Sequence, residues 1–259
     1  MIMRSPKTLH RFANPARFMR LSSRALPWCL VMSFAFLLAG LYLGLFVAPP
    51  DYQQGESARI MFVHVPAAWL ALLIYGVMAV ASATALVWRH PLADLIAKSC
   101  APIGAAFTIV ALVTGSLWGK PMWGTWWVWD ARLTSVLILL FLYLGYMALW
   151  QALENRETAS KAAAILAIIG VINLPIIKFS VDWWNTLHQP SSVVKLSGST
   201  IHSSMLWPLL IMAAGFLMFF FVVLILKVQR EIIASKVRAN QYLSSTHSHE
   251  SSPPADRDE

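Results

Sequence analysis

Between Trp118 and Asp130 the chain reads WGKPMWGTWWVWD, with five tryptophans, Trp118, Trp123, Trp126, Trp127 and Trp129, in 13 residues. Gly119, Pro121 and Gly124 lie among them and are expected to break helix and let the indoles approach one another. Rigid flat rings gathered in this way offer a platform on which a large planar apolar ligand stacks. An aromatic belt at a membrane surface is the plainer reading. It accounts for one or two tryptophans per helix end and poorly for five in one segment. Trp183 and Trp184 form a second group that can face the first.

Imidazoles supply the other chemistry. Of seven histidines, His10, His90, His247 and His249 fall in tails or inward segments and receive no role. His64, His188 and His202 fall outward. Taken singly, each is an ordinary interfacial polar residue. His64 stands immediately before an apolar span, which fixes its position, and His188 shares a loop with Trp183 and Trp184. Neutral imidazole is a strong iron ligand, and axial histidines hold haem in many proteins. Two such histidines over a tryptophan floor suit haem, with His202 in reserve. Haem carries two propionates, so the outward cations Arg59, Lys120, Arg132 and Lys178 are candidate partners, although the same residues also serve as snorkelling interface groups. Asp130 and Arg132 flank the start of a span. Asp130 is read as support, pairing with Arg132 or orienting the loop, not as an acid catalyst. Asp182 is read as a solvated loop residue.

The elements that must hold these residues follow from composition. Of 259 residues, 58% are apolar or aromatic and 12% charged, with a mean hydropathy of +0.62. A soluble domain carries about a quarter charged residues, so a soluble enzyme and a disordered chain are both excluded. The fold class is an all-α polytopic membrane protein with six transmembrane helices. Apolar runs of the length that crosses a bilayer are Trp28–Ala48, Val65–Trp88, Ala101–Trp118, Leu133–Trp150, Ala162–Ile177 and Met205–Leu226. The first is read as a retained span, not a cleaved signal. With the N-terminus inside, 15 of the 20 Lys and Arg fall in inward segments and 5 in outward ones, a positive-inside pattern. The organisation is then a basic N-terminus (1–26), a membrane domain (27–239) and a disordered inward tail (240–259). Loops 49–64, 119–132 and 182–204 face outward. The net charge of +8 reports this topology and not nucleic-acid binding. Cys29 and Cys100 belong to no CxxC or CxxCH motif, and are read as small apolar residues.

The run from Trp118 to Ser135 resembles the tryptophan-rich WWD signature of haem-handling membrane proteins. Its neighbours make the chain similar to the CcmC family of cytochrome c maturation: PDYQQG (50–55), HVPAAW (64–69), APIGAAFT (101–108), ALVTGSLWGKPMWG (111–124) and NLPIIKFSVDWWNTLHQPSS (173–192). The resemblance implies a multi-pass protein of the bacterial inner membrane. It implies haem b as cargo, held at the periplasmic face by the tryptophan loop and by His64 and His188 as iron ligands. It also implies delivery to the haem chaperone CcmE, and association with the small protein CcmD and the ABC transporter CcmA–CcmB. Lys178 has no place in the family pattern. No nucleophile or acid–base set is visible, so a delivery protein is expected and not an enzyme. The alternative is an exporter or permease subunit moving haem across the membrane. That path would require polar or broken segments at membrane depth, and spans one to four and six hold no buried charge. A membrane b-type cytochrome would need histidines inside facing helices, whereas these lie at helix ends.

Overall fold

The computed structural model describes residues 14–184, 186–188 and 201–250. Residues 1–13, 185, 189–200 and 251–259 lie outside the described residues. Six stretches are long and apolar enough to cross a membrane: Pro15–Val47, Glu56–Trp88, Pro91–Trp123, Ala131–Ala152, Arg156–Trp183 and Ser203–Arg238. The only β pairing among the described residues is an isolated bridge between Asp51 and Gly55.

Local sequence marks the ends of each helix. The helix α1 (Pro15–Tyr42) starts on Asn14, whose Oδ1 accepts the Ala16 N–H at 2.9 Å, with Pro15 at the first position. That placement leaves no backbone donor unsatisfied. Its last turn widens into a π-helix over Leu43–Val47. A short 3₁₀ segment (Glu56–Ile60) leads into α2 (Met61–Trp88). Arg89 turns the chain through a left-handed conformation (φ 50°), and His90 caps α3 (Pro91–Trp123) by accepting the Ala93 N–H on Nδ1. Because this connection is so short, α2 and α3 are antiparallel neighbours, and they form the most extensive helix pair in the molecule. Gly124 (φ 76°) ends α3. Asp130 caps α4 (Ala131–Ala152), and Asn155 caps α5 (Arg156–Gly170) with bonds from two N–H groups. After a turn at Val171–Ile172, α6 (Asn173–Trp183) completes the fifth crossing. The last helix, α7, runs Ser203–Glu250.

Several boundaries differ from those expected. Charged and polar flanks that hydropathy trims are helical, because a helix continues wherever its backbone groups bond internally, whatever its solvent. The segment 15–26 belongs to α1. Gly119 and Pro121 do not break α3, which reaches Trp123. His64 and Pro66 lie within α2, preceded by the turn from Met61, and not ahead of it. Pro175 falls in the first turn of α6, so the fifth crossing breaks just before it. The tail expected to begin at 240 is helical as far as Glu250.

The core is formed by α2, α3, α4 and α5, with one face of α7. Lipid is as apolar as leucine, so close backbone approach and internal hydrogen bonds must hold these helices together. Buried Tyr143 sits against Gly104 of α3 and donates to the Ala71 carbonyl of α2 at 2.8 Å, joining three helices. Asn173 Nδ2 donates to the Ser135 carbonyl at 2.9 Å and ties α6 to α4. At the outside of the bundle, α1 packs chiefly on α7, where Gly40 lies against the Met212 backbone and Gly215 against that of Leu37.

Candidate functional site

The outer ends of α2, α3, α4 and α6 and the turn 48–55 converge. His64 projects from the first turns of α2 towards α3. Its Nδ1 lies 3.1 Å from Thr114 Oγ1. The Thr114 hydroxyl itself donates to the Val110 carbonyl at 2.6 Å. With its hydrogen committed there, the threonine oxygen accepts, so His64 Nδ1 carries the proton and Nε2 keeps its lone pair. Gly115 makes room for the ring: a Cβ there would stand 3.0 Å from His64 Cε1. One turn further along α3, the Trp118 ring meets His64 edge to face at 5.7 Å and 78°. Trp118 Nε1 donates to Gln54 Oε1 at 2.9 Å. Gln54 is held in turn by its N–H to Asp51 Oδ1 at 2.8 Å, in a turn closed by Gly55 at φ 56°.

His188 is held by a parallel arrangement. Asp130 is buried and divides its two oxygens. Oδ1 accepts the Leu133 N–H at 2.7 Å, capping α4, and Oδ2 lies 3.0 Å from His188 Nδ1. A carboxylate only accepts, so His188 Nδ1 donates and Nε2 carries the lone pair. Burial holds the His188 pKa below the ordinary 6.5, and Asp130 pulls the other way without reversing it. The imidazole is therefore neutral at physiological pH. Trp123 packs on it at 4.8 Å and 65°. Trp118 and Trp123, each against one imidazole, are separated along α3 by about 7.5 Å at the standard helical rise.

The remaining tryptophans are arranged edge to face and not as one flat floor. Trp127 and Trp129 meet at 76°, and Trp183 and Trp184 at 75°, while Phe179 stacks on Trp183 at 28°. Trp126, Trp129, Trp183 and Trp184 are exposed. Trp127 Nε1 is buried without a hydrogen-bond partner, which leaves a donor for an incoming acceptor. A hollow of about 280 Å³ opens beside Trp129, Asp130 and Thr186.

Among the outward cations, Arg59 is engaged by Glu56 and the Gly44 carbonyl. Arg132 donates to Ser180 Oγ and the Lys178 carbonyl and bonds α4 to α6, not to Asp130. Lys120 reaches the Gly124 carbonyl at 3.0 Å and lies 5.8 Å over the Trp126 ring. Neither Lys120 nor Lys178 forms an ion pair with a described residue. Asp182 lies in α6. His202 Nδ1 accepts the Ser204 N–H at the start of α7.

Sequence reading reached the imidazoles, the indoles and Asp130, but not Thr114, Gly115 or Gln54. Thr114 had a signal, its place one helical turn before Trp118. Gln54 stands within the PDYQQG motif, but its bond to Trp118 shows only once its turn folds against α3.

A family model described as "Heme exporter protein C" (CcmC) matches residues 8–243. The chain belongs to the heme exporter protein C family. It is 55% identical to heme exporter protein C of Bradyrhizobium diazoefficiens over 239 residues, covering 92% of this chain and 90% of that protein. Its identity to heme exporter protein C of Escherichia coli K12 is 53% over 212 residues, 82% of this chain and 85% of that one. A Marchantia polymorpha protein named as a putative cytochrome c biosynthesis ccmC-like mitochondrial protein is 53% identical over 208 residues, 80% and 88% of the two chains.

Proposed function

We propose that this multi-pass protein binds haem b at the outward face of the bacterial inner membrane, through His64 and His188, and delivers it to the chaperone CcmE for c-type cytochrome maturation. One observation carries the reading. Both imidazoles have Nδ1 tied by an acceptor, Thr114 in one case and Asp130 in the other, and both keep Nε2 for a metal. Each is flanked by an indole edge, from Trp118 and Trp123. Among the described residues no three His, Cys, Asp or Glu gather as a bare ion requires. A porphyrin supplies four donors of its own, and two imidazoles complete the iron. The printed names of the relatives, which speak of haem export and of cytochrome c biosynthesis, support the same reading.

In this reading Lys120, Lys178 and the free Trp127 N–H are the groups available to haem carboxylates. Arg59 and Arg132 hold the surrounding helices. The exposed indoles Trp126, Trp129, Trp183 and Trp184 cover the ring until the chaperone docks. This chain orients the cargo and carries out no covalent step, so it is a carrier and not an enzyme. CcmD and the CcmA–CcmB transporter are its proposed membrane partners.

The test is an optical spectrum of the purified protein with porphyrin and iron assayed. Low-spin bis-imidazole haem is expected. His64→Ala and His188→Ala are each expected to convert it to a high-spin form and to stop transfer to the chaperone. Spectra unaltered in both variants would overturn the ligand assignment.

A further inference from the structure

The inward end of the bundle holds a second cavity, of about 350 Å³, between α3, α4 and α7. Four charged side chains line it: Lys98 from α3, and Lys227, Arg230 and Glu231 from α7. Lys98 Nζ lies 3.1 Å from Glu231 Oε2, and both side chains are largely covered, with 29% and 27% exposed. The same ammonium stands 5.1 Å over the Trp150 ring. The carboxylate is thereby answered, and Lys227 and Arg230 make no ion pair with any described residue. Three cations thus face one carboxylate in a partly enclosed space. At its wall Ser99 is buried and its Oγ has no hydrogen-bond partner among the described residues. Pro102 and Met147 make the adjoining wall apolar.

Uncompensated positive charge on membrane-spanning helices is costly unless an anion answers it. Here the excess charge, an unused hydroxyl and apolar walls coincide at the inward end of the spanning helices. A basic pocket between helices at the inward interface is a fit for a lipid headgroup. We propose that this cavity binds the phosphate of an anionic phospholipid, with Lys227 and Arg230 as its ion partners and Ser99 as a hydrogen-bond donor. The Lys98–Glu231 pair holds α3 and α7 at the separation that keeps the cavity open. The proposal is independent of haem binding at the opposite face.

The test uses the full chain in nanodiscs that mix phosphatidylglycerol and phosphatidylcholine, with retained lipid counted by native mass spectrometry. The wild type is expected to keep phosphatidylglycerol in about tenfold preference. The double variant Lys227→Gln/Arg230→Gln is expected to lose that preference. Arg89→Gln/Arg156→Gln removes the same charge from the same side, away from the cavity, and is expected to retain it. Equal retention of both lipids by the wild type, or equal loss in both double variants, overturns the proposal. Inorganic phosphate is the remaining probe. If it binds the wild type while the two lipids are retained equally, the ligand is a free anion and the lipid assignment fails. A thermal unfolding curve for each variant separates lost binding from lost fold.

Discussion

Thr114 and Asp130 perform one task by two routes. Each accepts a hydrogen bond from the Nδ1–H of an imidazole and so presents Nε2. Thr114 is able to accept because its own hydrogen is committed to Val110. Removing such a partner commonly costs 10–100-fold in metal affinity. Thr114→Val is therefore expected to weaken haem retention by about that factor while leaving the fold intact, as read by haem titration and by thermal unfolding. Asp130 adds a pH dependence. His188 titrates below 6.5 in the folded chain. Just below 6.5 the unfolded form takes a proton that the folded form refuses, so this residue's contribution to stability falls as pH drops through that window. Protons also compete with iron for the ring, and haem occupancy is expected to decline on acidification below 6.5. Asp130→Asn removes the influence that raises this pKa. In the haem-free protein the His188 pKa is then expected to fall further, while haem affinity at neutral pH drops. An NMR pH titration of the His188 ring in both haem-free forms checks the shift, and a pKa that rises in Asp130→Asn refutes the role given to Asp130.

Helix α3 organises the site because it runs past its glycine and proline to Trp123. Gly115 admits the His64 ring. Gly119, one turn on, admits the Trp123 ring, whose Cε3 would lie 2.9 Å from a Cβ at that position. The same small-residue logic holds the bundle. A Cβ at position 104 would lie 2.1 Å from Tyr143 Cζ, and that ring is pinned by its bond to Ala71 and by Tyr75 at 5.1 Å. Gly104→Ala is expected to cost about 1–3 kcal/mol, read as a lowered unfolding temperature in detergent. Asn173→Ala leaves the Ser135 carbonyl without its α6 donor and is expected to cost a similar amount, about 1–3 kcal/mol. It should also loosen α6, which carries Trp183 towards the site. Loss of stability without any change in haem spectrum would separate packing from ligand placement. Apolar run length located these helices but ended most of them too early, because hydropathy registers the apolar middle of a helix and not its polar ends.

The whole molecule is polarised, with imidazoles and indoles at one end and a basic cavity at the other. Its orientation in the bilayer rests on the distribution of Lys and Arg. Tyr52, 91% exposed in the turn before α2, and Glu154, exposed after α4, fall on opposite sides in this topology. Cysteine placed at Tyr52 is expected to react with a membrane-impermeant maleimide on intact spheroplasts. Cysteine at Glu154 should react only after lysis. The reverse labelling pattern would invert the topology and place the haem site inside.

Membrane class, six crossings and the chemical types in the site were legible in the chain, because each depends on local composition. Long apolar runs have one stable solution in lipid, and tryptophan and histidine declare their chemistry wherever they stand. The pairings came only from the packed helices. Whether Asp130 bonds Arg132 or His188, which nitrogen of His64 is free, and whether Arg132 is already engaged depend on residues 46 to 58 positions apart in the chain meeting within hydrogen-bonding distance. Such contacts are set by helix crossing and glycine clearance, and no local pattern records them.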